Sequence, residues 1–158
     1  MMGEYNEAVY AYSQASKTQE ALIPVALLKR AIAFTELKRY DEALSDLKTV
    51  RKIIIFILNL FFLKVIEQDP KHSEAFYFKG LVLSKKGDPN EATLCFEQAI
   101  KHNTSSKAVV KSLYEIARIK IEGRNFYEAS HTIHRAELMG LDQTYFKKLK
   151  LFTEGVKI

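Results

Sequence analysis

Residues 74–100 read "EAFYFKGLVLSKKGDPNEATLCFEQAI", and the spacing within them decides the fold. Phe76, Gly80 and Leu83 recur on one helical face, and Ala92, Phe96 and Ala99 do the same further on. Between the two runs, Gly87-Asp88-Pro89 carries a helix stop and a new start. The stretch therefore predicts two helices joined by a short turn. Gly80 lets the helix backbones approach, while Leu83 and Phe96 fill the space around it.

The same arrangement recurs along the chain. "GEYNEAVYAYSQA" (3–15), "KRYDEALSDLKT" (38–49), "GDPNEATLCFEQA" (87–99) and "GRNFYEASHTIHRA" (123–136) each place Glu-Ala after a turn-forming or polar start. Each then continues as an amphipathic helix. The shared alanines, Ala8, Ala43, Ala92 and Ala129, stand 35, 49 and 37 residues apart. Further helices precede three of these motifs, with Leu27, Ala31 and Phe34 on one face of the first and Leu113 and Ala117 on one face of the last. The unit is helix, turn, helix, with a period of about 34 residues.

This pattern resembles the tetratricopeptide repeat. The best copy, 73–106, carries Phe76, Gly80, Leu83, Ala92, Phe96 and Ala99. It departs from the family at Lys79 and Thr104, where leucine and proline are usual. The resemblance implies an all-α fold of antiparallel helix-turn-helix repeats stacked as a right-handed α-solenoid. Its expected parts form one domain over 1–158. They are a partial repeat at 3–23, a repeat at 24–72, the repeat at 73–106, a divergent repeat at 107–142 and a C-terminal capping helix at 143–158. The 24–72 copy carries Leu27, Ala31, Phe34, Tyr40, Ala43, Leu47 and Pro70. Gly3 is expected in a turn ahead of a second helix, so the chain reads as a fragment or as a gene model begun late.

One stretch does not belong to the pattern. "VRKIIIFILNLFFLKV" (50–65) interrupts the second helix of the 24–72 repeat. Deleting residues 50–64 joins "DEALSDLKT" to "VIEQDP", reduces the outlying spacing from 49 to 34 and restores a 34-residue repeat. The residues are nearly all encodable by A and T alone, and the block ends are compatible with splice signals. A retained intron, read through in frame, fits these features. The alternative is a genuine hydrophobic insertion that meets a partner or a membrane surface. As part of a helix, 15 residues add about 22 Å and rotate the downstream chain by about 60°. The block must then loop out or extend one helix with exposed Ile and Phe, an aggregation hazard.

Composition narrows the function. The charge of +5 includes Arg51, Lys52 and Lys64 of the block, and without them 21 basic residues face 19 acidic ones. The remaining charges are interleaved, so nucleic-acid binding is weakly supported. The opening residues lack the basic start and apolar core of a secretory signal. The uncharged run 53–63 has 11 residues, against about 20 needed to span a bilayer. A single cysteine, Cys95, permits no internal disulfide and suits a reducing, cytoplasmic setting.

No catalytic constellation stands out, and no phosphate loop or nucleophile elbow is present. His131 and His134 share a helix face but lack a third ligand nearby in sequence, so surface histidines are the simpler reading. Cys95, between Leu94 and Phe96, reads as an inert, partly buried thiol. No enzymatic activity, cofactor, metal or small-molecule substrate is expected.

The resemblance implies a groove lined by the first helices that binds a peptide or partner domain. Leu28 and Ile32, then Tyr77, Leu81 and Lys85, then Tyr114 and Arg118 are its expected lining, with Glu36 and Glu122 at its margins. Tyrosine and arginine suit that role because they combine contact area with hydrogen bonding. Leu28 and Leu81 serve equally well as packing between repeats. The family's terminal-carboxylate clamp is disfavoured, because Leu28, Ile32, Glu74 and Phe78 occupy its places and only Lys29 and Lys111 offer charge. The expected function is a non-enzymatic scaffold or adaptor module holding a protein partner within a multiprotein complex. The alternatives are a nucleic-acid-binding helical repeat and membrane attachment through 53–63. Complementary DNA across codons 49–66 tests the origin of the block. A message lacking the 45 nucleotides supports a retained intron, and one that always keeps them refutes it.

Overall fold

The computed structural model describes residues 2–18, 23–102 and 106–155. Residues 19–22 of the expected partial repeat, Thr104, and 156–158 of the expected capping helix lie outside them. Among the described residues eight α-helices occur in chain order: α1 (Met2–Thr18), α2 (Ile23–Glu36), α3 (Tyr40–Gln68), α4 (Ser73–Lys86), α5 (Pro89–Lys101), α6 (Ser106–Glu122), α7 (Phe126–Leu138) and α8 (Lys147–Glu154). A short 3-10 turn, Gln143–Tyr145, precedes α8. Among the described residues there is no strand. The architecture is all-α helical repeats. The chain divides into two compact units, Met1–Ile57 and Leu58–Ile158.

One turn recurs at the end of four helices. Lys38, Gly87, Arg124 and Gly140 all adopt left-handed backbone, with φ of 60°, 100°, 58° and 64°. In each case the next residue's N–H donates back to the carbonyl five positions earlier: Arg39 to Phe34, Asp88 to Leu83, Asn125 to Lys120 and Leu141 to Ala136. This is the Schellman closure, which satisfies carbonyls that the helix end leaves open. Glycine is free to adopt that backbone, whereas Lys38 and Arg124 do so at a cost of about 1–2 kcal/mol each. The succeeding helices also start with local help. Asn125 accepts from the Glu128 N–H to begin α7, and Pro89 opens α5 with the fixed φ suited to a first turn.

In the unit Met1–Ile57, Ala31, Phe34 and Ala43 form the buried cluster, with Val9 of α1 against it. An ion pair ties the helices together: Arg30 donates from Nε and Nη2 to both oxygens of Asp46, at 2.7 Å each, and from Nη1 to Ser13 Oγ. Asp46 is buried, so this two-pronged contact holds a charge that could not stay there alone. Gly3 lies inside α1, not in a preceding turn. Leu47, expected in the repeat pattern, is exposed. Asp46 takes the inward position next to it, because its partner Arg30 stands on α2.

In the unit Leu58–Ile158, α4 packs on α5, α5 on α6 and α6 on α7, with α8 against α6 and α7. One cluster joins Leu83, Ala92, Cys95 and Phe96 to Ile116 and Ile119. A second joins Leu113, Ala117, Ile133 and Ala136 to Leu141, Phe146 and Leu149. The shared alanines Ala43, Ala92 and Ala129 are buried. Phe76 stacks on His102, at 5.9 Å between ring centroids, at the far end of the same helix pair. The last described elements are a 3-10 turn and α8, with Phe146 and Leu149 buried and Tyr145 and Phe152 exposed.

The block is helical throughout. α3 has 29 residues, where α2 and α4 have 14 each; removing 15 leaves α3 with 14. Ile54, Phe56, Ile57, Leu58, Leu60 and Phe61 are exposed, Phe56 to 63%. Phe62 stacks on Phe78 of α4 at 5.8 Å, and the buried Oδ1 of Asn59 has no hydrogen-bond partner. A helix that leaves large apolar side chains in water gains little from burial, since that gain scales with the area removed from solvent.

Gly80 tests the packing. A Cβ built there would stand 2.7 Å from Phe96 Cε1, and the Phe96 ring is fully buried. Gly80→Ala is expected to lower unfolding stability by about 1–3 kcal/mol, read by urea denaturation. Unchanged or increased stability would show that α4 and α5 do not meet through this contact.

Candidate functional site

The unit Leu58–Ile158 carries a trough along α4 and α6, the first helices of successive repeats. Helical spacing puts Glu74, Tyr77 and Phe78 toward it from α4, and Ala108, Lys111, Tyr114 and Glu115 from α6. Its central cleft, about 360 Å³, is lined by Tyr77, Lys111, Tyr114, Glu115 and Tyr145. A wider cleft of about 580 Å³ adjoins it between the starts of α4 and α6, with Lys71, Lys107 and Lys111 among its lining.

The tyrosines are fixed from beneath. Tyr77 lies 5.8 Å from the ring of Phe96 and 5.4 Å from that of Phe78. Tyr114 lies 6.4 Å from the ring of Phe146. Both are half-buried, so the core holds one side of each ring while the cleft receives the other. Burial, aided by the charge of Glu115, raises the Tyr77 phenol above its ordinary range, and it stays a neutral donor and acceptor at physiological pH.

Arg118 is engaged on its own helix and with α4. It donates to Glu115 and Glu122 on its own helix and to Ser84 of α4 at 3.3 Å. Burial lowers its pKa, but the hydrogen bond and charge of Glu115, with Glu122, outweigh that and leave it raised. It therefore links α4 to α6 and holds Glu115 at the edge of the cleft. Arg135 makes a comparable link from α7 to Glu97 of α5.

The expected groove residues thus divide. Tyr77 and Tyr114 share one cleft. Leu81 packs against the cluster of Leu83 and Phe96, which favours its packing role. Lys85 is exposed near the end of α4. Leu28 and Ile32 stand exposed on α2, at 43% and 52%, in the unit Met1–Ile57. Lys111 lines three of the clefts, and its place three residues before Tyr114 was the signal for it. Tyr145 arrives from the 3-10 turn, and no helical spacing could have placed it.

Among the described residues, no group of three or more His, Cys, Asp and Glu is arranged to hold a metal. His134 lies against Glu137, at 3.2 Å. Burial pushes the Cys95 thiol up, with Lys79 opposing and Glu91 adding to it, so little thiolate forms near neutrality. No helix among the described residues is long and apolar enough to cross a membrane.

Two family models, both described as tetratricopeptide repeat, match residues 25–53 and 61–93. The first ends and the second begins inside the block, so residues 54–60 fall between them. No curated protein matches the chain. The family is one of interaction modules, typically without catalysis. Helix pairs closed by one recurring turn, with small residues under aromatic ones and two matched stretches, support a tetratricopeptide-repeat protein.

Proposed function

We propose that the chain is a non-enzymatic scaffold or adaptor module that holds a protein partner, as a peptide or a helix, along its first helices. The observation that carries this reading is the cleft shared by Tyr77 and Tyr114, two rings from successive repeats braced by the buried Phe96 and Phe146. Rigid, half-buried aromatic side chains lose little entropy on binding and supply large contact areas, which is why they dominate protein interfaces. The cytoplasm, as a reducing compartment, suits a chain whose one cysteine is a buried thiol. Acidic residues in the trough, Glu74 and Glu115 among them, weigh against a polyanion such as RNA as the main partner.

The double substitution Tyr77→Ala with Tyr114→Ala is the test. Each tyrosine is expected to contribute about 2 kcal/mol to partner affinity, about 30-fold per residue. Proteins retained by the immobilised chain should be lost from the variant, identified by mass spectrometry, while circular dichroism keeps its helical signal. Retention of the same proteins by the variant would refute the groove, and a collapse of helicity would make the tyrosines structural.

A further inference from the structure

The charges along the trough are unequally committed. Glu115 is held by Arg118, Asp142 accepts from the Thr144 N–H, and Asp69 accepts from the Lys71 N–H. By contrast, the ammonium groups of Lys71, Lys107 and Lys111 make no hydrogen bond or ion pair among the described residues, although all three line the wide cleft. Glu74 is the one acid there without such a commitment among the described residues. Three uncommitted cations thus face one uncommitted anion, and the trough has unspent positive charge next to its aromatic floor.

Position sharpens the chemistry. Lys107 and Lys111 stand one helical turn apart on α6, which puts their Cβ atoms about 6 Å apart. Two ammonium groups on such stems can both donate to a single carboxylate. Lys111 also borders the clefts lined by Tyr77, Phe78 and Tyr114. Lys107 borders a further cleft with Val110, Leu141 and Tyr145. Open space therefore continues on both sides of the lysine pair. A chain terminus needs space on one side alone, whereas a through-running segment needs it on both.

We propose that this trough binds an extended internal segment of a partner protein that carries an acidic side chain beside a large apolar one. The carboxylate sits between Lys107 and Lys111, and the apolar side chain sits against Tyr77, Phe78 and Tyr114. This rests on the reading of the chain as a partner-binding module and adds the chemistry of the partner. Complementary charge sets specificity and association, and the aromatic floor supplies contact area.

The experiment uses the full chain and fluorescein-labelled ten-residue Gly/Ser peptides, acetylated and amidated at their ends. One pool carries Glu near Leu or Phe at each spacing from one to four, a second replaces Glu with Gln, and a third replaces it with Lys. Fluorescence polarisation should show the Glu pool binding about tenfold more tightly than the Gln pool, and the preference should fade with added salt. Lys107→Ala with Lys111→Ala should erase the difference between the Glu and Gln pools, and Lys111→Glu should shift the preference toward the Lys pool. Circular dichroism of each variant should match the parent chain, since both lysines are exposed. Equal binding of the Glu and Gln pools, both weakened by Tyr77→Ala, would overturn the acidic preference and leave the groove standing. No pool binding above a plain Gly/Ser peptide would overturn both. Tight, lysine-dependent binding of a twelve-nucleotide single-stranded RNA without any peptide binding would also overturn both, in favour of nucleic acid.

Discussion

The close approach of α4 and α5 at Gly80 is the contact on which the described helix pairs of the larger unit depend. The Phe96 ring occupies the volume in which any side chain at position 80 would begin. That ring then supports Tyr77 on one side and the cluster of Leu83 and Ile116 on the other. A small residue under a large one is a local arrangement, yet it sets how near two helix backbones come and where the next helix finds its groove. Ala31 and Ala117 meet the same need for a small, buried residue in the flanking repeats.

The proposed binding surface is built on that packing. Tyr77 and Tyr114 each lie against a buried ring, which sets their orientation for the proposed partner. Arg118 joins the helices that carry them, and Glu115, held by Arg118, is turned from a free charge into part of the scaffold. Lys107 and Lys111 on α6 have no such partner among the described residues, and they are where charge specificity is available. A surface with pre-set rings and uncommitted cations commits little of its binding energy to self-ordering.

Much of the fold was readable because it rests on single-residue sizes and spacings. The small positions Ala31, Gly80 and Ala117, the shared alanines and the Gly87 turn are visible in the chain as letters. The turns at Lys38 and Arg124 were harder, because a left-handed backbone there is imposed by the neighbouring helix ends and has no glycine to mark it. The groove was legible only in part. Tyr77 and Tyr114 came from the repeat, whereas the bridging by Arg118 depends on Ser84 at the equivalent place 34 residues earlier. Tyr145 depends on a turn with no periodicity.

The block shows the limit of periodic packing. Fifteen residues are four turns plus about 60° of rotation, so a helix that contains them cannot present one face to the same neighbours at both ends. The division between the two compact units falls at Ile57 and Leu58, within the block, and the family matches stop and restart there. The core is made by the repeats, and the apolar run 54–61 lies largely outside it. Hydrogen exchange on the full chain measures that directly. Amides of 93–99 and 112–119 should be the slowest, and those of 54–61 should exchange at least about 100-fold faster through local opening. Equal protection in the two regions would contradict the account and place the block inside the core.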